Sequence, residues 1–188
     1  MYLLPQLGTS QVKHLDARAV QHYTPEQVVD LARAHGIRML SWTYNDPVVW
    51  HEVVVDTARL AARHGIQDLY KSAFYIEEEP VRELIDVIDV FSLSLKSMSA
   101  EFYRKATGGE LQPVLDRICQ VHASGRHLEI SNLLVTDLND TADDARKTVR
   151  WVLDHLGPHG ATAFRPVSPG VQVHQRRAHA GGSLVPGA

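Results

Sequence analysis

Arg38-Met39-Leu40-Ser41-Trp42-Thr43-Tyr44-Asn45-Asp46-Pro47 reads as a short strand-like run ending in a turn. Its last residue, Pro47, suits the first position of a following helix. Working outward, Thr24-Pro25-Glu26-Gln27 upstream is a helix start, with Thr24 as N-cap, Pro25 at the first helical position and Gln27 completing a capping box. Val28, Leu31 and Ala32 continue the helical period, and His35-Gly36 ends it. Downstream, Val48 to Arg63 is helical and stops at His64-Gly65. The stretch is thus the strand of a helix–strand–helix step.

The step recurs. Asp68 to Phe74 is strand-like, Glu77 to Val87 helical and Asp89 to Leu95 a strand. Ser97-Met98-Ser99-Ala100-Glu101 caps a short helix, Pro113 to Ser124 is a longer one, and His127 to Val135 is rich in β-formers. Asp140 to Leu156 is the last clear helix and Ala161 to Arg165 a final short strand, with a further strand expected at Met1 to Leu4. Strands alternating with helices in this way make βαβ units, and hence a parallel sheet with helices outside. The class is α/β. A complete eight-stranded barrel takes roughly 200 residues or more, so 188 residues carrying five such strands predict a partial, open β/α barrel. One domain is expected over 1–167, with a Gly-, Pro-, His- and Arg-rich flexible tail over 168–188.

Composition narrows the function classes. The chain is 44% apolar and carries 19 Lys and Arg against 22 Asp and Glu, so no basic surface argues for nucleic acid as a partner. No apolar stretch approaches the ~20 residues of a membrane helix, and the start shows no secretory pattern. A cytoplasmic protein without a membrane partner is the expectation. One cysteine, Cys119, excludes an internal disulfide framework and any multi-cysteine metal or iron–sulfur site built from these residues. The histidines are scattered. His51 with Glu52, or His155 with His159, lacks a third ligand at known spacing, so no metal site is expected. His35 and His64 precede glycines at helix ends and read as caps.

In parallel α/β architectures ligands sit beyond the carboxyl ends of the strands. The strand ends nominate Tyr44, Asn45 and Asp46; Ser72 and Tyr75; Ser94 and Lys96; Ser131, Asn132 and Thr136; and Arg165. Asp46 reads either as an acceptor for a ligand ammonium or as the cap of the helix opening at Pro47. Lys96 reads as a ligand-binding cation, as a base or Schiff-base nucleophile if desolvated, or as a rim lysine without a role. Glu129 and Ser131 share one strand face, Ile130 and Asn132 the other. Either face would place a polar group inside, where it needs partners.

Ser41 to Pro47, followed by Asp56-Thr57-Ala58-Arg59-Leu60-Ala61, resembles the radical SAM proteins related to pyruvate formate-lyase activating enzyme, in particular the AmmeMemoRadiSam-system branch. Ser94-Leu95-Lys96, Glu101-Phe102-Tyr103-Arg104-Lys105, Gly108-Gly109-Glu110-Leu111-Gln112-Pro113-Val114-Leu115 and Leu138-Asn139-Asp140 extend the likeness from about Thr24 to Asp154. The resemblance implies S-adenosylmethionine (SAM) as cofactor and a Cys-x3-Cys-x2-Cys loop holding a [4Fe–4S] cluster. That loop would lie before Thr24, where the chain reads Leu7-Gly8-Thr9-Ser10-Gln11-Val12-Lys13, so no cluster is expected. The family's Asn-Glu-Pro is Asn45-Asp46-Pro47 here, its Thr-Asn-Gly is Ser72-Ala73-Phe74, its Asp-Leu-Lys is Ser94-Leu95-Lys96, and its Arg-Phe-His-Pro appears as Phe164-Arg165-Pro166-Val167.

Caps, glycine stops and strand patterns agree throughout, which favours a repurposed barrel over a decaying one. The expectation is a cluster-less barrel that binds a small polar ligand, with SAM the implied candidate, and that carries out non-radical acid–base chemistry. Asp46, Lys96 and Tyr44 are its catalytic candidates, and Asn45, Ser72, Tyr75, Ser94, Ser131, Asn132 and Arg165 its binding candidates. Two alternatives stand beside it. One is a non-catalytic pseudoenzyme whose open barrel edges pair with a second copy or another protein; the other is a radical SAM enzyme represented here without its cysteine-bearing segment.

Overall fold

A computed structural model describes residues 21–158, and residues 161–166 as a strand. The expected strand at Met1 to Leu4, the Leu7–Lys13 stretch and the tail from Ser168 lie outside the described residues. The elements run α1 (Pro25–Ala34), β1 (Met39–Trp42), a 3-10 turn (Pro47–Trp50), α2 (His51–Ala62), β2 (Gln67–Ser72), α3 (Glu78–Val87) and β3 (Val90–Ser94). Then follow α4 (Ala100–Phe102), which widens into a π-helical turn (Tyr103–Thr107), α5 (Leu111–Ala123), β4 (His127–Leu134), α6 (Ala142–Leu156) and β5 (Ala161–Pro166).

Among the described residues all neighbouring strands pair in parallel, in the order β1-β2-β3-β4-β5, and the sheet that they form does not close on itself. The open α/β architecture follows from sequence order, because each right-handed crossover sets the next strand beside the last. Local chemistry places the helix ends. Thr24 forms the expected capping box: its hydroxyl accepts the Gln27 amide (3.3 Å), and its own amide donates to Gln27 Oε1 (2.9 Å). Ser99 and Thr141 cap α4 and α6 in the same way, each hydroxyl accepting a backbone amide three residues on.

Several boundaries differ from the sequence reading: the helix expected from Pro113 begins at Leu111, and the strand expected to run to Phe74 ends at Ser72. The helix expected from Val48 opens as a tight 3-10 turn, and α2 proper begins at His51 after Trp50 takes an off-helical φ of -137°. The helix expected from Asp140 begins at Ala142, since Asp140 closes a turn by accepting the Asp137 amide at 3.2 Å.

Side-chain alternation splits the sheet into two unlike faces. One bears Leu40, Trp42, Tyr70, Phe91, Leu93, Leu95, Leu128 and Ile130, which pack with Val54, Ala58, Leu84, Ile118 and Val152 of the helices into the main core. Each fully buried side chain of this size contributes about 1.5–3 kcal/mol, so this face fixes how the helices lie. The opposite face carries Ser41, Lys71, Ser92, Ser94, Glu129 and Ser131, all half-buried or exposed. A smaller cluster of Val29, Ala32, Ala61 and Ile66 holds α1 against α2. No helix among the described residues is long and apolar enough to cross a membrane.

Candidate functional site

At the carboxyl ends of β1, β2 and β3 lies an open cleft of about 220 Å³, lined by Thr43, Tyr44, Asn45, Asp46, Lys71, Ser72, Ala73, Ser94 and Lys96. Six of the eleven residues nominated from the strand ends meet here: Tyr44, Asn45, Asp46, Ser72, Ser94 and Lys96. The sheet brings them together because parallel strands end on the same side, so each loop that follows a strand opens onto one rim.

Asp46 is the best-anchored of them. Its Oδ1 accepts the Ser72 hydroxyl at 2.6 Å and, at longer range (3.4 Å), the Val48 amide as helix cap; its Oδ2 accepts the Ala73 amide at 2.9 Å. Capping and cleft-lining are therefore both true of this carboxylate. With one bond to Oδ2, a lone pair remains for a further donor. Ser72 is buried, and its oxygen also accepts the Phe74 amide at 2.8 Å, so its hydroxyl joins β2 to the loop after β1.

Two residues at this rim hold left-handed backbone without being glycine: Tyr44 (φ 75°) and Phe74 (φ 59°). Such a conformation costs a bulky residue roughly 1–2 kcal/mol. Phe74 recovers this by burying its ring completely against Tyr70 and Phe91, each centroid 6.1 Å away. The phenylalanine at the resembled family's glycine position thus keeps a glycine-like backbone and turns its bulk into the core. Tyr44 is 65% exposed, a ring standing at the mouth of the cleft.

Lys96 is set from three sides. Its amide donates to the Tyr103 hydroxyl (3.1 Å), and its carbonyl accepts from Asn139 Nδ2 (2.6 Å) and Asn132 Nδ2 (3.3 Å). Burial lowers the pKa of its ammonium, and the charge of Asp46 partly opposes that. Burial and the same carboxylate push the Tyr70 phenol up.

The remaining nominees separate. Ser131 lies on the face away from the helices, its hydroxyl 3.3 Å from that of Ser94. Asn132 lies on the helix side, buried, and donates to Leu95 O at 2.7 Å, so it serves the backbone beside Lys96. Tyr75 is 53% exposed and lines a different cavity of about 620 Å³, with His51, Glu52, Asp116 and Arg117. Thr136 sits exposed in the turn after β4. Arg165 is on β5 opposite Leu133 in the register. Among the described residues no group of His, Cys, Asp and Glu is arranged to hold a metal ion.

Sequence reasoning did not nominate Lys71, which lies inside β2 and reaches across the sheet to the hydroxyls of Ser92 (3.4 Å) and Ser131 (3.2 Å). The available signal was a lysine inside a strand, two residues after Leu69 and on the same face, opposite to that of Tyr70. Asn139 was also missed, as a turn residue whose partner lies 43 positions away.

Residues 11–152 match the model of the radical SAM superfamily. An uncharacterised protein of Methanocaldococcus jannaschii is 33% identical over 78% of this chain and 43% of its own length. This chain spans less than half the length of the curated relatives that it matches. Among solved structures, a domain of pyruvate-formate lyase-activating enzyme from Bacteroides vulgatus superposes with a TM-score of 0.62 at 17% identity, covering 73% of this chain and 85% of that one. SuiB of Streptococcus suis, solved bound to S-adenosylmethionine, gives 0.61 at 11% identity over 80% of this chain and 36% of that one.

Proposed function

This chain belongs to the radical SAM superfamily, and from that premise we propose that the cleft at the ends of β1 to β3 binds a small zwitterionic ligand, with SAM the first candidate. The observation that carries the reading is that Asp46 and Lys96, opposite charges from two different strand ends, line one open cleft and feel each other's charge. An α-amino-acid end presents the complementary pair: its ammonium meets the remaining lone pair of Asp46, and its carboxylate meets Lys96. SAM-bound SuiB shares the fold, which supports the choice of ligand. SAM supplies a sulfonium electrophile when bound.

The catalytic part of the reading rests on Lys96. Its lowered pKa lets it give up a proton more readily than an exposed lysine, and Tyr103, Asn132 and Asn139 hold its backbone still. Asp46, with its oxygens held by Ser72 and Ala73, recognises the charge of the ligand. Tyr44 covers the mouth. Asn45, Ser94 and Ser131 offer polar groups to the rest of the ligand.

An iron–sulfur cluster has no place in this reading, because cluster ligation takes several thiolates and these residues supply one cysteine. Cys119 sits half-buried on α5 and is absent from the cleft lining, and burial and the charge of Asp116 raise the pKa of its thiol. These residues do not fit the cluster, and the proposed chemistry is acid–base.

Calorimetric titration of purified protein with SAM tests the reading, alongside Asp46→Asn and Lys96→Ala variants whose folding is verified by circular dichroism. Micromolar binding that weakens at least tenfold in both is the expected result. Absence of heat with the wild type at several temperatures removes SAM as the ligand.

A further inference from the structure

Away from the cleft, the cavity of about 620 Å³ that Tyr75 lines opens between the 3-10 turn after β1, the loop into α3 and the first turns of α5. Val48, Ile76, Pro80 and Pro113 give it apolar walls, and the carboxylates of Glu52, Glu77 and Asp116 stand exposed around them. Its basic side chains are already engaged: Arg117 pairs with Glu78 at 3.6 Å and His51 with Glu83 at 3.1 Å. Glu52 and Glu77 have no hydrogen bond or ion pair among the described residues, and Asp116 is engaged by Gln112 through Oδ1 alone (2.8 Å). The groove is therefore net acidic. By contrast, a hollow on α6 is lined by Arg146 and Arg150 against Asp154, and the β1–β3 cleft by two lysines against Asp46.

We propose that this groove is a docking site for the chain beyond β5, the stretch Ser168 to Ala188, which lies outside the described residues. Charge points to that occupant: the stretch carries Arg176 and Arg177, and neither Asp nor Glu. Val171 and Val173 lie just before the arginines and suit the apolar walls, as the arginines suit the carboxylates. Topology supplies the route. The five strands run parallel, so β5 ends at Pro166 on the rim where the loops after β1 and β2 form the groove. From Pro166 to Arg176 the chain reaches about 33 Å when extended, whereas β2 lies three strand spacings, about 15 Å, from β5. Exposed ion pairs are weak singly, but a tethered segment meets its groove at an effective concentration in the millimolar range. The docking is thus intramolecular and salt-sensitive, and it does not depend on what the β1–β3 cleft binds.

Trypsin cleaves after arginine, so cutting after Arg176 and Arg177 reads their accessibility in the full chain. Its rate tracks the fraction of time that a docked segment is open. Mass spectrometry follows that rate in wild type, in a Glu52→Gln/Glu77→Gln double variant, and in a synthetic peptide spanning residues 168–188, which sets the undocked rate. Both substitutions fall at exposed positions and add no trypsin site, and circular dichroism verifies the fold of the variant. The expected result is cleavage about fivefold slower in wild type than in the peptide. That slowing should shrink to within about twofold in the double variant, and likewise in about 0.5 M salt, where charges are screened beyond about 4 Å. Cleavage of the wild type at the peptide's rate overturns the proposal. So does slowing that survives the double variant or the salt, which puts the segment elsewhere, and slowing that grows with protein concentration, which makes a second copy the occupant.

Discussion

Asp46 and Ser72 are hydrogen-bonded to each other at 2.6 Å, across 26 residues of chain. Together with the Ala73 amide bond, this ties the loop after β1 to the end of β2. The carboxylate that would meet a ligand is thereby held before the ligand arrives, and the cost of ordering it is met in folding.

Removing that tie should be felt in stability as well as in binding. Asp46→Ala leaves the Ser72 hydroxyl and the Ala73 amide without their acceptor and is expected to cost about 2 kcal/mol. Asp46→Asn, which keeps one carbonyl oxygen, should cost less. Urea denaturation of both, with Ser72→Ala in a double-mutant cycle, measures the coupling; additivity within ~0.3 kcal/mol would show that the bond contributes nothing.

Phe74 holds a left-handed backbone and a fully buried ring at once. Phe74→Gly relieves the first and loses the second. The cavity term of about 3–5 kcal/mol for removing a buried phenyl exceeds the roughly 1–2 kcal/mol of backbone strain, so the variant should be destabilised by about 2–3 kcal/mol. Phe74→Ala keeps the strain and should be worse than Phe74→Gly, an inversion of the usual order that chemical denaturation can read directly.

Asp68 makes stability depend on pH. It is almost fully buried; Oδ1 accepts the Trp42 indole N–H at 2.7 Å, while Oδ2 has no hydrogen-bond partner. Desolvation raises its pKa from 3.8 to about 6, and the Asp89 charge adds to that while the Trp42 bond opposes it. The folded state therefore binds this proton more tightly than the unfolded chain. Its favourable contribution is complete below about pH 4 and is lost as pH rises through 6. Relative to wild type, Asp68→Asn should gain in melting temperature between pH 4 and 6 and hold a constant difference above that. A difference independent of pH over that interval would refute the assignment.

Asn139 binds the Lys96 and Leu133 carbonyls through Nδ2 and the Val135 amide through Oδ1. Asn139→Ala takes the acceptor from the Val135 amide and a donor from the Leu133 and Lys96 carbonyls, the latter keeping only the longer bond from Asn132, and should cost about 2–3 kcal/mol. Asn139→Asp restores the acceptor but not the donor, so it should recover the Val135 bond alone. Amide hydrogen exchange at Val135 separates the two variants.

The strand ends were readable because hydrophobic period and glycine stops are local. Nominating Tyr44, Asn45, Asp46, Ser72, Ser94 and Lys96 from those ends was enough to find one cleft. What each residue does there was not readable. Ser72 and Asp46 were both nominated for a ligand, and the fold pairs them with each other. Ser131 and Asn132 are adjacent in sequence, yet one faces the polar side of the sheet and the other the helices; period-two alternation separates them but does not say which face is which. That choice belongs to the packing of Leu128 and Ile130 against the helices.

The sequence by itself determined the α/β class, the order of strands and helices and the caps that start them, because these depend on neighbours a few residues apart. Only the tertiary structure decided that Lys71 reaches Ser131 across 60 positions, that Asn139 grips Lys96 across 43, and that Tyr75 lines another cavity. Contacts between side chains of separate strands depend on sheet register and on which face the helices cover, and neither is written in any single stretch of chain.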